Sequence, residues 1–173
     1  YKLQSFIFMP VFGINNAALA IAAYNYGARK PKRILGVLKC GILGATALMV
    51  IGVAAFQLIP QVLLGLFNAN ADMLAVGDPA LRTMSLAFVF AGACIIVGGV
   101  FQALGNSVYS MIVSIARQLL VLLPAAYLLS LSGNIDAVWF AYPIAEVVSL
   151  TVTVILFLRL YKTKIRPLGQ PLK

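Results

Sequence analysis

The chain has 173 residues, of which 62% are hydrophobic and 10% are charged, and its formal net charge is +9 at pH 7. A soluble domain is nearer 45–50% apolar and about 25% charged, so this composition excludes an ordinary water-soluble domain and predicts that lipid surrounds much of the chain. The positive charges cluster beside apolar runs, which is typical of cytoplasmic membrane loops and argues against nucleic acid as a partner.

Five apolar runs predict five membrane-spanning helices, at about residues 5–26, 34–56, 81–104, 109–131 and 137–160. Each run is long enough to cross a hydrocarbon core of about 30 Å with some tilt. The sequence therefore predicts an all-α integral membrane protein whose last span is followed by a basic tail over residues 162–173. The chain begins with Tyr1 and enters an apolar run at once, from which we expect a fragment of a longer protein.

The connections between these runs alternate in charge. The first connection, "GARKPKR", contains four cations, namely Arg29, Lys30, Lys32 and Arg33. The second connection has Asp72 and Asp78, the fourth has Asp136, and the tail is basic again. Because cytoplasmic loops are rich in Lys and Arg, we expect the first connection and the C-terminus to be cytoplasmic, in a multi-pass protein of the cell membrane.

The second connection contains two helix-boundary signals. Pro60 is expected to end or kink the second helix, because proline lacks an N–H and clashes with the preceding turn. The segment "GDPALR" predicts a helix start, with Asp78 as the N-cap and Pro79 at the first helical position.

Glu146 is the most informative single residue of the sequence. It follows Asp136 by ten residues, which places it roughly 15 Å into the fifth predicted span and near the membrane midplane. An acid at this depth costs about 3 kcal/mol on insertion scales, so it is expected to face protein or water. Glu146 is either a cation-coupling carboxylate that lines a cavity or a structural acid bonded to a neighbouring helix, and the sequence leaves both interpretations open.

Other polar residues within the spans are candidates for substrate contact or for helix packing. Asn15 and Asn16 lie in the middle of the first span, and Gln102 lies at the end of the third. We expect amides at these positions either to bond neighbouring helices or to contact a substrate. Arg117 and Arg82 are expected to anchor their helices, because the long arginine stem can extend toward the headgroups.

The sequence contains no signature of an enzyme or of a bound cofactor. It has no His, and its two cysteines, Cys40 and Cys94, are far apart in apolar surroundings, so neither a metal site nor a disulfide framework is predicted. Phosphate-binding loops and hydrolase motifs are absent from it as well. We therefore expect a protein without enzymatic activity and without a cofactor.

Three stretches together resemble the multidrug and toxic compound extrusion (MATE) transporters, in their C-terminal half. They are "PVFGINNAALAIAAYNYGARKPKR", "LRTMSLAFVFAGACIIVGGVFQALGNS" and "DAVWFAYPIAEVVSLTVTVILFLRLYK". The resemblance implies a twelve-helix transporter of two six-helix lobes, of which this chain would hold helices eight to twelve. The partners implied are the N-terminal lobe and the seventh helix, neither of which the chain contains.

The resemblance also implies a function. It suggests export of drugs, often lipophilic cations, in exchange for H⁺ or Na⁺ as the coupling ion. One subfamily has an acid in the tenth helix, and the matching residues 81–104 have none, which argues against the Na⁺ site of that subfamily. A flippase of lipid-linked saccharides and a non-transporting membrane scaffold are the alternatives.

Overall fold

The computed structural model describes residues 2–66 and 70–169, apart from the side chains of residues 2, 71 and 72. Within these ranges the chain is helical, with short connections and no strand, which confirms the predicted all-α class. The α-helices are α1 (Lys2–Gly27), α2 (Pro31–Leu58), α3 (Pro60–Gly65), α4 (Ala71–Ser85), α5 (Phe88–Ala103), α6 (Ser107–Ile115), α7 (Leu123–Ser130), α8 (Ile135–Val138) and α9 (Ala141–Leu160).

In the described part of the chain, four continuous helical stretches are long and apolar enough to cross a membrane. They are Leu3–Gly27, Pro31–Leu58, Ser107–Ser130 and Ile135–Gly169. The third predicted span is instead two helices, α4 and α5, bent by 52° at the break between them. Counting this bent pair as one broken span gives the five crossings that the hydropathy pattern predicts.

The second connection agrees with one prediction and contradicts another. Helix α2 ends at Leu58, two residues before Pro60, as expected of a helix that precedes proline. The predicted helix start at Asp78 is wrong, because α4 already begins at Ala71, where the Asn70 side chain accepts a hydrogen bond from the Met73 N–H. Asp78 lies inside α4. The side chain of Asp72 and residues 67–69 lie outside the described residues.

The core of the lobe lies where α1, α2 and α5 pack together. Phe88 of α5 is buried between two other rings, with centroid distances of 5.2 Å to Phe8 and 5.3 Å to Phe56. Close approach of α2 and α5 requires a glycine, because a Cβ at Gly41 would lie 2.9 Å from a methyl group of Ile96. Helix α5 is thus packed closely against α2, and it also contacts α1 and α9.

The fourth crossing changes its helical pitch in the middle. Between α6 and α7, residues 116–122 form a π-helical segment, in which the N–H of Leu123 donates to the carbonyl of Gln118 five residues back. Pro124 follows immediately and cannot donate the N–H that the carbonyl of Leu120 would accept in an α-helix. Short π segments often occur at functional sites, and this one contains Arg117.

At each end of the lobe, one cationic side chain connects neighbouring helices through hydrogen bonds. At one end, Arg82 bonds Asp78 at 2.9 Å and the carbonyl of Gln57, near the end of α2, at 2.7 Å. At the other end, the Lys164 Nζ donates to the carbonyl of Leu104, just past α5, at 2.8 Å. Cations are favourable at helix C-termini, where carbonyls lack partners within the helix.

The residues predicted as a basic tail are largely helical. The chain continues from α9 through a π turn (Tyr161–Ile165) and a 3₁₀ turn (Arg166–Gly169). Lys164 belongs to this extension, which its bond to Leu104 ties back to the lobe. Residues 170–173 of the predicted tail lie outside the described residues.

Candidate functional site

Three helices each contribute a row of side chains, spaced three or four positions apart, to the same region of the lobe. The rows are Phe8, Phe12 and Asn15 in α1, Ser110, Ser114 and Arg117 along α6 and the π segment, and Glu146, Ser149 and Thr153 in α9. This spacing places the members of each row on one helical face. The α5 face that carries Cys94, Gly98 and Gln102 completes the region.

An ion pair between Arg117 and Glu146 lies at the centre of this region. The Arg117 Nη1 donates to the Glu146 Oε1 at 2.8 Å, and the pair joins the π segment to α9. Glu146 is buried, at 8% exposed, whereas 34% of the Arg117 side chain remains exposed. A charged hydrogen bond of this kind neutralises an acid that would otherwise be costly inside the membrane.

A smaller cavity, which we call the polar cavity, lies on one side of the pair. Its volume is about 230 Å³, and its polar lining consists of Asn15, Cys94, Gln102, Ser110, Ser114, Arg117, Ser149 and Thr153. Of the described residues that line it, Arg117 is the only charged one. Gln102 donates to Ser110 at 3.2 Å across the gap between α5 and α6. The polar cavity thus has one positive charge and a wall of amides and hydroxyls.

A larger cavity, which we call the aromatic cavity, lies on the other side of the pair. Its volume is about 500 Å³. The described residues that line it are Gln4, Ser5, Phe8, Met9, Phe12, Arg117, Gln118, Leu122, Tyr142, Ala145 and Glu146. Phe8, Phe12 and Arg117 line both cavities, so the ion pair lies at the boundary between them. A cavity of this volume is in the range that holds a drug-sized compound.

Several buried polar atoms in the lining of the two cavities have no nitrogen or oxygen hydrogen-bond partner among the described residues. They are the Asn15 Oδ1, the Glu146 Oε2, the Ser149 Oγ and the Thr153 Oγ1. Ser149 and Thr153 are 1% and 2% exposed and lie beside the Cys94 thiol. Since buried polar atoms are almost always bonded, a group of them around cavities is the arrangement expected of a site that binds something.

The residues singled out from the sequence are only partly brought together. Asn15 and Gln102 line the polar cavity, whereas Asn16 is exposed and lines neither cavity. The sequence suggests a headgroup anchor for Arg117, but the structure directs its guanidinium inward to Glu146, because the acid lies within reach on the neighbouring helix.

The four cations of the first connection are distant in sequence from Arg117 and Glu146. They are Arg29, Lys30, Lys32 and Arg33, and all of them are exposed. They belong to the connection between α1 and α2 and the start of α2, and they line neither cavity. Their role as cytoplasmic topology signals stays a prediction.

Ser149 and Thr153 are functional candidates that residue-by-residue reading of the sequence missed. The signal for them was present, because Glu146, Ser149 and Thr153 repeat at intervals of three and four residues in an otherwise apolar helix. A single Ser or Thr in a membrane helix does not by itself indicate a site, because such residues are common there. Its alignment with an intramembrane acid is what distinguishes it.

The family of the chain follows from a comparison with known protein families. The model of the MatE family matches residues 1–128, which is most of the chain. The chain belongs to the MatE family. The match covers α1 to α6 and most of α7 and therefore includes Arg117, while Glu146 lies beyond the matched residues.

Two curated proteins resemble this MatE chain over most of its length. A probable multidrug resistance protein NorM of Thermotoga maritima is 24% identical over 129 residues, covering 74% of the chain and 28% of the relative. A probable multidrug resistance protein YoeA of Bacillus subtilis is 26% identical over 156 residues, covering 86% of the chain and 33% of the relative. The chain thus spans about a third of the length of these relatives.

Two solved structures share the fold of the MatE chain. The MATE multidrug transporter DinF-BH, determined in complex with a ligand, is 32% identical with a TM-score of 0.83, covering 95% of the chain and 36% of the transporter. An inward-facing multidrug resistance MATE family transporter of the MOP superfamily has a TM-score of 0.87 at 20% identity, covering 98% of the chain and 39% of that protein. The MATE-type transporter fold that the sequence resemblance implies is thereby confirmed.

Proposed function

We propose that this MatE chain forms one lobe of a secondary active antiporter that exports organic compounds across the cell membrane in exchange for H⁺ or Na⁺. The observation that supports the proposal most strongly is the Arg117–Glu146 pair, placed between two cavities inside a membrane-spanning lobe. An ionisable group within the membrane that borders a cavity is the usual mark of an ion or substrate pathway.

The aromatic cavity suits a lipophilic cation. Phe8, Phe12 and Tyr142 present rings to it, and the carboxylate of Glu146 provides the negative charge. Aromatic faces attract cations, and the attraction strengthens where water is excluded. A cationic compound in this cavity competes with Arg117 for Glu146, and so does a proton or a sodium ion. Competition for one carboxylate is the simplest way to make export of the compound depend on entry of the coupling ion.

A single lobe does not complete the transport cycle. Alternating access requires two lobes or bundles that rock about a central site, so that the site opens to each side in turn. We therefore propose that the lobe works with a second lobe, as the share of the relatives that the chain covers suggests. The transport experiments below use the whole transporter that contains this chain.

Replacing Glu146 tests the proposal. In proteoliposomes that hold the whole transporter, with an imposed H⁺ or Na⁺ gradient, we expect Glu146→Gln to reduce gradient-driven uptake of a cationic dye by at least about tenfold, because the amide cannot exchange a cation. Running the two gradients separately identifies the coupling ion. Dye fluorescence in the lumen reports the rate.

Asp136→Asn is the matched control, since this acid is exposed and lines neither cavity. It should transport at the wild-type rate. Full activity of Glu146→Gln with an unchanged dependence on the gradient would refute the coupling role of Glu146. Failure of the wild-type transporter to move any cationic dye under either gradient would refute the proposed antiport itself.

A further inference from the structure

We infer that the polar cavity is a binding site for a small monovalent anion of the chloride class, which replaces Glu146 as the partner of Arg117 whenever that carboxylate is taken by a coupling cation or by a cationic compound. The inference rests on the proposed function only for the event that releases Arg117, which is the binding of a cation to Glu146. The site itself is inferred from the charge, the size and the buried hydroxyl groups of the cavity.

The two cavities differ in volume and therefore suit occupants of different size. At about 500 Å³ the aromatic cavity falls within the range of drug-sized pockets, whereas the polar cavity, at about 230 Å³, falls below it. A small ion with a few waters fits the smaller volume. The polar wall favours the same kind of occupant, because amides and hydroxyls replace the water that a dehydrated ion loses.

The donors around the polar cavity match an anion. Arg117 is the only charged residue among the described residues of its lining, and a guanidinium has five N–H groups, of which the bond to Glu146 uses one. Ser149 and Thr153 are almost fully buried, and their hydroxyls lie beside the Cys94 thiol, which is only a weak hydrogen-bond partner. The positive charge of Arg117, in the same lining as two hydroxyls that can turn to donate, favours an anion as the occupant.

Arg117 connects the two cavities because it lines both of them. While Glu146 is charged, the guanidinium is neutralised by it at 2.8 Å. Once a cation occupies the carboxylate, Arg117 becomes an unpaired charge inside the lobe, which is costly. An anion in the polar cavity removes that cost without any rearrangement of the helices. Apart from this pair, the titratable groups among the described residues that line the cavities are Cys94 of α5 and Tyr142 of α9.

A chloride-binding measurement tests the inference. The purified transporter is placed in phosphatidylcholine nanodiscs in gluconate buffer, and chloride binding is followed by ³⁵Cl NMR line broadening. The variant Glu146→Gln imitates the state in which the Glu146 carboxylate has been neutralised by a cation, because an amide carries no charge. Its Kd for chloride should be lower than that of the wild type by about 10- to 100-fold, the range expected of a hydrogen bond to a charged group. Adding Ser149→Ala and Thr153→Val to Glu146→Gln should weaken chloride binding again by about tenfold.

Thr151→Val is the matched control, because Thr151 lies on the same helix but faces away and bonds the carbonyl of Val147. Equal chloride affinity of the wild type and Glu146→Gln would overturn the inference, even if the hydroxyl variant failed to fold. Repeating the titration with a third of the lipid as phosphatidylglycerol separates chloride from a lipid headgroup. Loss of chloride binding in those discs would assign the site to the headgroup and overturn the assignment to a free ion. These are equilibrium measurements, so their failure leaves the proposed antiport standing.

Discussion

Arg117→Met is expected to destabilise the lobe by about 3 kcal/mol. Removing one partner of a buried ion pair typically costs roughly 3–5 kcal/mol, because the remaining charge stays buried and uncompensated. We expect the lower end of that range because 34% of the Arg117 side chain is exposed, although Glu146 is not. The free energy of unfolding is measured by titration with SDS in mixed micelles.

A double-mutant cycle assigns this loss to the pair. Glu146→Gln alone should cost less than Arg117→Met, since 34% of the Arg117 side chain is exposed but only 11% of the Glu146 side chain is. The double variant Arg117→Met with Glu146→Gln should recover most of the loss, because replacing both partners of a buried pair is often close to neutral. Strict additivity of the two single changes would show that the two side chains do not interact in the membrane.

Phe88→Ala is expected to destabilise the lobe by about 3 kcal/mol, since the cavity left by an aromatic ring costs packing energy even where lipid replaces water as the solvent. Phe88 is 2% exposed and contacts both Phe8 and Phe56. Because Phe8 lines both cavities, we also expect the variant to loosen the site. Unfolding in SDS and dye binding, measured on the same sample, report the two effects.

Phe6→Ala is the control for Phe88→Ala. Phe6 is on the same helix as Phe8 but is 68% exposed, so its loss should change the free energy of unfolding by less than about 0.5 kcal/mol. If Phe6→Ala and Phe88→Ala destabilised the protein equally, the described packing of α1 against α5 would be contradicted.

Much of the architecture could be predicted from the sequence, because the solvent imposes it. Hydrocarbon leaves helices as the stable form of this chain, and the length of each apolar run sets the length of each crossing. Pro60 likewise predicts a helix boundary from its own covalent structure. The start of α4 escaped prediction because Asn70 caps it, whereas Asp78 lies inside the helix and bonds Arg82 one turn further along.

The site was harder to predict than the fold. Glu146 could be recognised because a buried acid is conspicuous in an apolar helix. Its partner could not be identified, because Arg117 lies 29 residues earlier and meets it only through the packing of the π segment against α9. The polar cavity depends likewise on side chains from several separate elements, so no local pattern in the sequence describes it.

We expect the five membrane crossings that bring Arg117 and Glu146 together to leave the basic connection and the C-terminal extension on the cytoplasmic side. Single cysteines at Lys32, Lys162 and Asp136, all of which are exposed, test this expectation by labelling with a membrane-impermeant maleimide in a background without Cys40 and Cys94. We expect positions 32 and 162 to be labelled only in inside-out vesicles, and position 136 only in intact cells. Labelling of positions 32 and 162 from opposite sides would contradict the number of crossings and, with it, the whole arrangement.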